Sequence, residues 1–210
     1  MGKIVIFGAG GRAGRRAALE ALRRGHEVTA VVRDPAGHTA LRAEGLTLVA
    51  GDVADARAVA ALAAGHDAGI SAAVDLTVAP HDFFTTATRA LGEGFVKAGV
   101  SRLLVVGLAS VTPGASGALL MDEPGYPQEY RAFYLGHAAG LDELRATGLD
   151  WLYVAPAGDF DHDGPRTGRY RVAEHGDPAS RISYDDFAIA LLDEIDEPAR
   201  HRALVVVREA

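Results

Sequence analysis

The sequence predicts a doubly wound α/β fold: one domain, with a mostly parallel sheet covered by helices on both faces. Three observations carry that expectation. Apolar runs of strand length alternate with helix-like stretches from one end of the chain to the other. The strand runs are continuously apolar, as in Leu103-Leu104-Val105-Val106 and Leu204-Val205-Val206-Val207, which suits strands buried on both faces. A glycine-rich turn stands between the first strand and the first helix. Right-handed crossovers then wind such a sheet in both directions.

Taken in order, strands are expected over 3–7, 27–32, 46–50, 68–72, 102–107, 151–155 and 203–208. Helices are expected over 12–24, 36–44, 54–64, 81–98, 129–147 and 184–195. Gly25, Gly45, Gly65, Gly99 and Gly148 stand where helix C-caps belong. Two connections are long, 108–126 and 157–181. Both follow strands, so both belong at the carboxyl edge, where sheets of this kind bind ligands. No repeat, linker or low-complexity stretch divides the chain, and residues 1–210 read as a single domain.

The composition narrows the class. At 210 residues and 49% apolar content, the chain can bury a substantial core. Its net charge is -7 and its arginines are scattered, which disfavours nucleic acid as a partner. It has no cysteine, so it forms no disulfide and performs no thiolate chemistry. The chain opens on a strand rather than a signal peptide, and no apolar run reaches membrane-spanning length. A cytoplasmic protein with a small-molecule partner, no membrane and no metal is the expectation; composition leaves the oligomeric state open.

The glycine turn points to a ligand. Lys3-Ile4-Val5-Ile6-Phe7 is followed at once by Gly8-Ala9-Gly10-Gly11-Arg12-Ala13-Gly14, and then by an Ala/Leu/Arg helix pattern. Gly8, Gly10 and Gly11 let the chain turn tightly and let bare backbone approach a pyrophosphate, while Gly14 lets the helix pack close to the strand. Arg12 and Ala13 open the helix, whose free N–H groups and positive dipole end face the phosphates. The spacing of Gly8, Gly11 and Gly14 is GxxGxxG, the short-chain dehydrogenase pattern. GxGxxG fails, because counting from Gly8 puts Ala13 in its last place. A dinucleotide-binding Rossmann domain of the short-chain dehydrogenase type is therefore expected.

The second strand should choose the cofactor. It ends at Arg33-Asp34, beside the adenosine ribose. An acid there accepts from a free 2′-OH, whereas an arginine there holds a 2′-phosphate. Asp34 precedes Pro35 and suits a turn, and Arg33 is the first residue past the apolar run, so NADP(H) is favoured over NAD(H). Arg12 could assist from the other side. Asp52 follows the third strand and could accept from the adenine amino group while Val53 packs on the ring. Alternatively, Asp52 caps a helix beginning near Ala54. Small residues at the end of the fourth strand, Ala72 among them, let a cofactor cross the strand tips.

With these residues in place, the chain resembles the atypical short-chain dehydrogenase/reductase proteins that bind NAD(P)H, in particular the NADH-flavin reductase type. Biliverdin reductase B, a flavin reductase, is a more distant likeness. The N-terminal part of the resemblance lies in Ile6-Phe7-Gly8-Ala9, residues 23–29, 32–35 and 51–53. The more specific part lies in Gly148-Leu149-Asp150-Trp151, Gly164-Pro165-Arg166-Thr167-Gly168-Arg169-Tyr170 and residues 180–188. The resemblance implies Arg33 as a 2′-phosphate ligand, Asp52 and Val53 as adenine contacts, and Ser110 near the nicotinamide.

Alcohol–ketone chemistry in short-chain dehydrogenases uses Tyr-x-x-x-Lys, the lysine lowering the tyrosine pKa. The only lysines here are Lys3 and Lys97, and neither has a tyrosine four residues before it. Reduction of a flavin, quinone or similar flat acceptor needs no such acid, since solvent can protonate the product. An NADPH-dependent reductase of that class is the leading expectation. A non-catalytic NADP(H)-binding redox sensor of the NmrA type is the alternative. Ser110 could hydrogen-bond a carboxamide or acceptor, or simply its own backbone. Tyr134 and His137, three apart on one helix, could line the acceptor pocket or donate a proton; a surface histidine is the plainer reading of His137. Pro156 could fix backbone near the nicotinamide or merely end a strand. Tyr126, Tyr130 and Tyr134 would share one helix face if the helix starts early enough. Asp159-Phe160-Asp161-His162-Asp163-Gly164 opens like a calcium loop, yet Tyr170 stands where its bidentate glutamate should be, so an acidic loop beside the acceptor is preferred. Ser183 begins a capping box, with Arg181 a possible partner for nearby acids.

Overall fold

The apolar run Lys3–Phe7 forms β1, and Ile4, Val5, Ile6 and Phe7 have no solvent exposure at all. It runs through the middle of the structure, a computed structural model that describes Met1 to Ala210. β1 pairs in parallel with β2 (Glu27–Val32), and β2 pairs with β3 (Leu46–Ala50). On its other side β1 pairs with β4 (Ala68–Ser71), followed by β5 (Arg102–Val106), β6 (Asp150–Pro156) and β10 (Ala203–Arg208), all parallel. The order is β3-β2-β1-β4-β5-β6-β10-β8. Only β8 (Arg171–Ala173), at the edge, runs antiparallel. β7 (Asp159–Asp161) and β9 (Arg181–Ser183) form a separate parallel pair.

Alternate residues of β1 feed the two sides of the sheet. Ile4 and Ile6 pack with Ala17, Ala18 and Ala21 of α1 (Arg12–Arg23) and with Phe187 and Leu191 of α5 (Tyr184–Asp196). Val5 and Phe7 pack beneath α2 (Ala56–Ala63), α3 (Pro80–Ala98) and α4 (Arg131–Ala146), against Val59, Leu91, Phe95 and Leu141. Burial of each large apolar side chain contributes about 1.5–3 kcal/mol. The result is the Rossmann-type doubly wound sheet that the apolar runs predicted. No helix is long and apolar enough to cross a membrane.

Several local expectations need correction. The segment 36–44 is not an α-helix. Pro35–Leu41 forms a 3₁₀ turn, broken at His38, where φ is -126° and ψ is 27°. Gly37 and Thr39 are poor helix formers, and only Asp34 caps the turn. α2 begins at Ala56 rather than Ala54 because Asp55 supplies the cap, accepting from Arg57 and Ala58 N–H. α4 ends in an extended Thr147, and Gly148 is not left-handed, unlike Gly25, Gly45, Gly65 and Gly99. The strands β7, β8 and β9 carry no apolar run and are defined only by their pairing.

The long connection 157–181 is pinned partway. Asp186, almost wholly buried in α5, accepts from Thr167 N–H at 3.0 Å, Gly168 N–H at 2.9 Å and Thr167 Oγ1 at 2.7 Å. Ser183 caps the same helix, accepting from Asp186 N–H at 3.1 Å. Arg181 finds no acid; its guanidinium donates to the Pro178 and Ser180 carbonyls.

Candidate functional site

The chain runs outward from β1 to β3 and then returns to β4, so the strand order reverses beside β1. Ligands of open α/β sheets bind where the carboxyl ends part at such a reversal. A cavity of about 480 Å³ lies there, and Gly8, Gly10, Gly11, Arg33, Asp52, Val53 and Ala72 all line it. The wall at the glycine turn is main chain. Gly8 has a φ of 76°, and a Cβ on it would come within 2.6 Å of the Ala72 carbonyl group. A Cβ on Gly14 would lie 2.3 Å from the Gly8 oxygen, so α1 can meet the turn only through a glycine. Gly11 precedes α1 without a side-chain cap, and the first turn of α1 contains no acid. The N–H groups there and the positive end of the helix are left for an anion. Bare backbone, an uncapped helix and a volume within the usual range for small-molecule sites fit a dinucleotide.

Side chains complete this end of the site. Asp34 turns away, accepting from Ala36 N–H at 3.0 Å. Arg33 reaches over the tip of β1 to pair with Asp75, beyond β4. The Thr77 hydroxyl and N–H hold the Asp75 carboxyl below the usual carboxylate range, and Arg33 adds to the effect. Asp52 does not cap α2; it accepts from Ala54 N–H at 2.9 Å. Arg12 does not line the cavity; it binds the His162 ring in the 157–181 connection. Among the lining residues that the sequence does not single out are Asp75 and His38. The His38 ring lies so close over Gly10 that a Cβ there would meet it at 2.4 Å. The 3₁₀ turn puts it there, and no sequence pattern announces that. An acid following the small residues of β4 was the available signal for Asp75.

The other half of the carboxyl edge is closed. Ser110, Tyr134, His137 and Pro156 do not line the 480 Å³ cavity. Ser110 sits in a single 3₁₀ turn, Ala109–Val111, with no exposure, and its Oγ has no hydrogen-bond partner within the protein. The hydroxyl that bonds this turn is Thr112 Oγ1, which donates to the Ala109 carbonyl at 2.7 Å. His137 is not on a helix surface. Its ring lies against Phe84 and Phe133, with centroids 3.9 and 4.9 Å away. Its Nδ1 is 3.1 Å from the Tyr153 hydroxyl, which itself accepts from Leu108 N–H at 3.1 Å. The phenol and the imidazole thus share one hydrogen bond inside the core. Burial drives the His137 pKa down to about 3 and raises that of Tyr153, with Leu108 N–H partly offsetting the rise. Gly107 makes room for this pair, since a Cβ there would meet the Tyr153 ring at 2.1 Å. Tyr153, which the sequence reading missed, thus buttresses the turn that carries Ser110.

Tyr134 is buried edge-on to Tyr126, with ring centroids 5.5 Å apart. Burial pushes the Tyr126 hydroxyl up to about 12, with Tyr134 and Asp159 contributing. Burial also raises Tyr134, helped by Glu129, Tyr130 and Asp159. These rings join the 108–126 connection to α4, close to Asp159. There is no three-tyrosine helix face: α4 starts at Arg131, and Tyr130 is exposed. In the calcium-like stretch, Asp161 accepts from Asp163 N–H at 3.2 Å, and no three acidic or histidine side chains converge. Pro156 is buried as the last residue of β6, opposite Val207.

The model of a family described as NAD(P)H-binding matches residues 8–198 of this sequence. The chain belongs to that family. The uncharacterized Bacillus subtilis protein YwnB is 36% identical over 219 residues, covering 99% of each chain. Two solved structures belong to proteins named, each as "putative", an epimerase and an NADH-flavin reductase. The first, from Bacteroides thetaiotaomicron, is 33% identical with a TM-score of 0.87, covering 99% of this chain and 96% of that one. The second, from Streptococcus pneumoniae, is 30% identical with a TM-score of 0.86, covering 100% of both. The chain is therefore an NAD(P)H-binding, oxidoreductase-like protein of the atypical short-chain dehydrogenase/reductase type, and a nicotinamide cofactor is its ligand.

Proposed function

We propose that this protein is an NADPH-dependent reductase that delivers hydride to a flavin, quinone or similarly flat acceptor. The observation that carries the proposal is the contrast at the carboxyl edge. An open, glycine-built cavity with an arginine at its lip adjoins a region with no side chain poised as a proton donor. The Tyr-x-x-x-Lys dyad is absent, His137 is held neutral with its Nδ1 engaged, and burial raises the pKa values of Tyr134 and Tyr126, which makes both weaker acids. When bound, the nicotinamide supplies the hydride. The glycine turn and the first turn of α1 hold the pyrophosphate, Arg33 holds the 2′-phosphate, and Asp52 and Val53 face the adenine. The Leu108–Ser110 turn, fixed from below by Tyr153, offers the half-buried Leu108 to the carboxamide end, with Ser110 sealed beneath it. Acceptors whose reduced rings take their proton from water need nothing further from the protein.

Complete burial of Ser110 favours a second reading, an NADP(H)-binding redox sensor of the NmrA type. One experiment separates the two. Anaerobic NADPH oxidation is followed with FMN, FAD and a quinone series, for the wild type and Arg33→Ala. The reductase turns over at least one acceptor. Loss of a charge-assisted phosphate contact weakens NADPH about ten- to a hundredfold and NADH far less. Tight NADPH binding with no turnover of any acceptor establishes the sensor instead.

A further inference from the structure

Arg33 already has a partner inside the cofactor cavity. It follows β2, Asp75 lies beyond β4, and β1 stands between those strands. Their ion pair therefore crosses the tip of β1, and both residues line the same cavity. The two partners differ in freedom. The Asp75 side chain is 14% exposed and the Arg33 side chain 65%. Asp75 is also fixed by Thr77, accepting from its N–H at 2.9 Å and its hydroxyl at 2.6 Å. The carboxylate stays where it is, while the guanidinium, on a long solvated stem, can move.

We infer that Asp75 sets cofactor preference by competing with the 2′-phosphate of NADPH for the Arg33 guanidinium; the inference rests on the NADPH reading above. A phosphate monoester brought to Arg33 must draw the guanidinium off the carboxylate, or share it and meet a negative charge at close range. NADH presents a neutral ribose hydroxyl and makes neither demand. Asp75 therefore subtracts affinity selectively from NADPH, holding its preference below what Arg33 alone would give. An exposed ion pair is weak, and phosphate–carboxylate repulsion adds to it. Together they correspond to about three- to tenfold in affinity ratio.

The test is calorimetric titration of NADP⁺ and NAD⁺ into the wild type, Asp75→Asn, Arg33→Ala and the double variant. Asp75→Asn keeps an acceptor for Thr77 and loses the charge. It raises the NADP⁺/NAD⁺ affinity ratio about three- to tenfold at low salt and less at high salt. The double variant shows no such gain over Arg33→Ala. An unchanged or lower ratio in Asp75→Asn overturns the inference, since Asp75 would then help Arg33 to hold the phosphate. Asp75→Ser, which retains an oxygen for the Thr77 N–H, gives the same answer should the asparagine variant fold poorly. Arg33→Ala reports separately on the NADPH reading: equal losses for both cofactors end that reading, whereas a selective loss without a gain in Asp75→Asn ends only the role of Asp75.

Discussion

The two halves of the carboxyl edge are made of different material. Around β1 one wall is backbone, set by Gly8, Gly10 and Gly11 with Gly14 packed behind them, and the space beside it is open. Around β5 and β6 the edge is side chain against side chain, with Tyr153, His137, Phe84 and Ser110 packed until little solvent enters. A main-chain wall tolerates no added atoms. A packed site depends on hydrogen bonds and burial, and its groups titrate far from their ordinary values. The first kind should fail through sterics, the second through protonation and packing.

The largest effect is expected where backbone meets backbone. Gly14→Val puts a branched side chain where even a Cβ lies 2.3 Å from the Gly8 oxygen. Either α1 is driven off the turn or the protein fails to fold, and a folded variant should lose more than about a hundredfold in NADP⁺ affinity by calorimetry. A well-folded Gly14→Val with wild-type affinity would mean that the turn is not a steric cradle, and the contrast would collapse.

The difference between the halves also explains what was legible. The apolar runs and the GxxGxxG spacing announce the sheet, its reversal and the cofactor cavity, because glycine placement is itself the geometry. Arg33 and Asp52 follow from position alone, one residue past the second strand and two past the third. His38 and Tyr153 were not legible, and the role of Asp75 was not, since these roles arise from contacts with Gly10, Leu108 and Arg33, all distant in sequence. His137 illustrates the limit most clearly. Helical spacing put it beside Tyr134, but only tertiary packing reveals Phe84, Phe133 and the Tyr153 hydroxyl around it. The short strands β7 to β9 were hidden for the same reason.

An intermediate effect should appear in acid. His137 stays neutral in the folded protein down to about pH 3, while in the unfolded chain it binds a proton near 6.5. The unfolded state therefore takes up the extra proton between those values, and stability falls as pH drops through that window, by at most about 1.4 kcal/mol per pH unit. Above pH 6.5 the contribution is flat. Urea unfolding of the wild type and His137→Gln at pH 7, 6, 5 and 4 should show a shallower acid loss in the variant. Parallel curves would show that the ring is hydrated rather than sealed.

The smallest effect tests Ser110. Its hydroxyl is buried without a partner in the protein, so Ser110→Ala should leave stability unchanged or raise it by up to about 1 kcal/mol. If Ser110 only positions, turnover of a competent acceptor falls less than about a hundredfold. A thousandfold fall in kcat would instead make it a true participant, and the packed half would gain a chemical role.

Asp186 has a further consequence. By gripping Thr167 and Gly168, it divides the long 157–181 excursion into two spans, which meet again where β7 pairs with β9. The entropic penalty for lengthening a span grows only logarithmically. Residues between β7 and Thr167 can therefore be added or removed with little effect on the β7–β9 pair or on β8 at the sheet edge. A protein of this design can change what it recognises by editing one short stretch of chain while the machinery that holds its nucleotide is left intact.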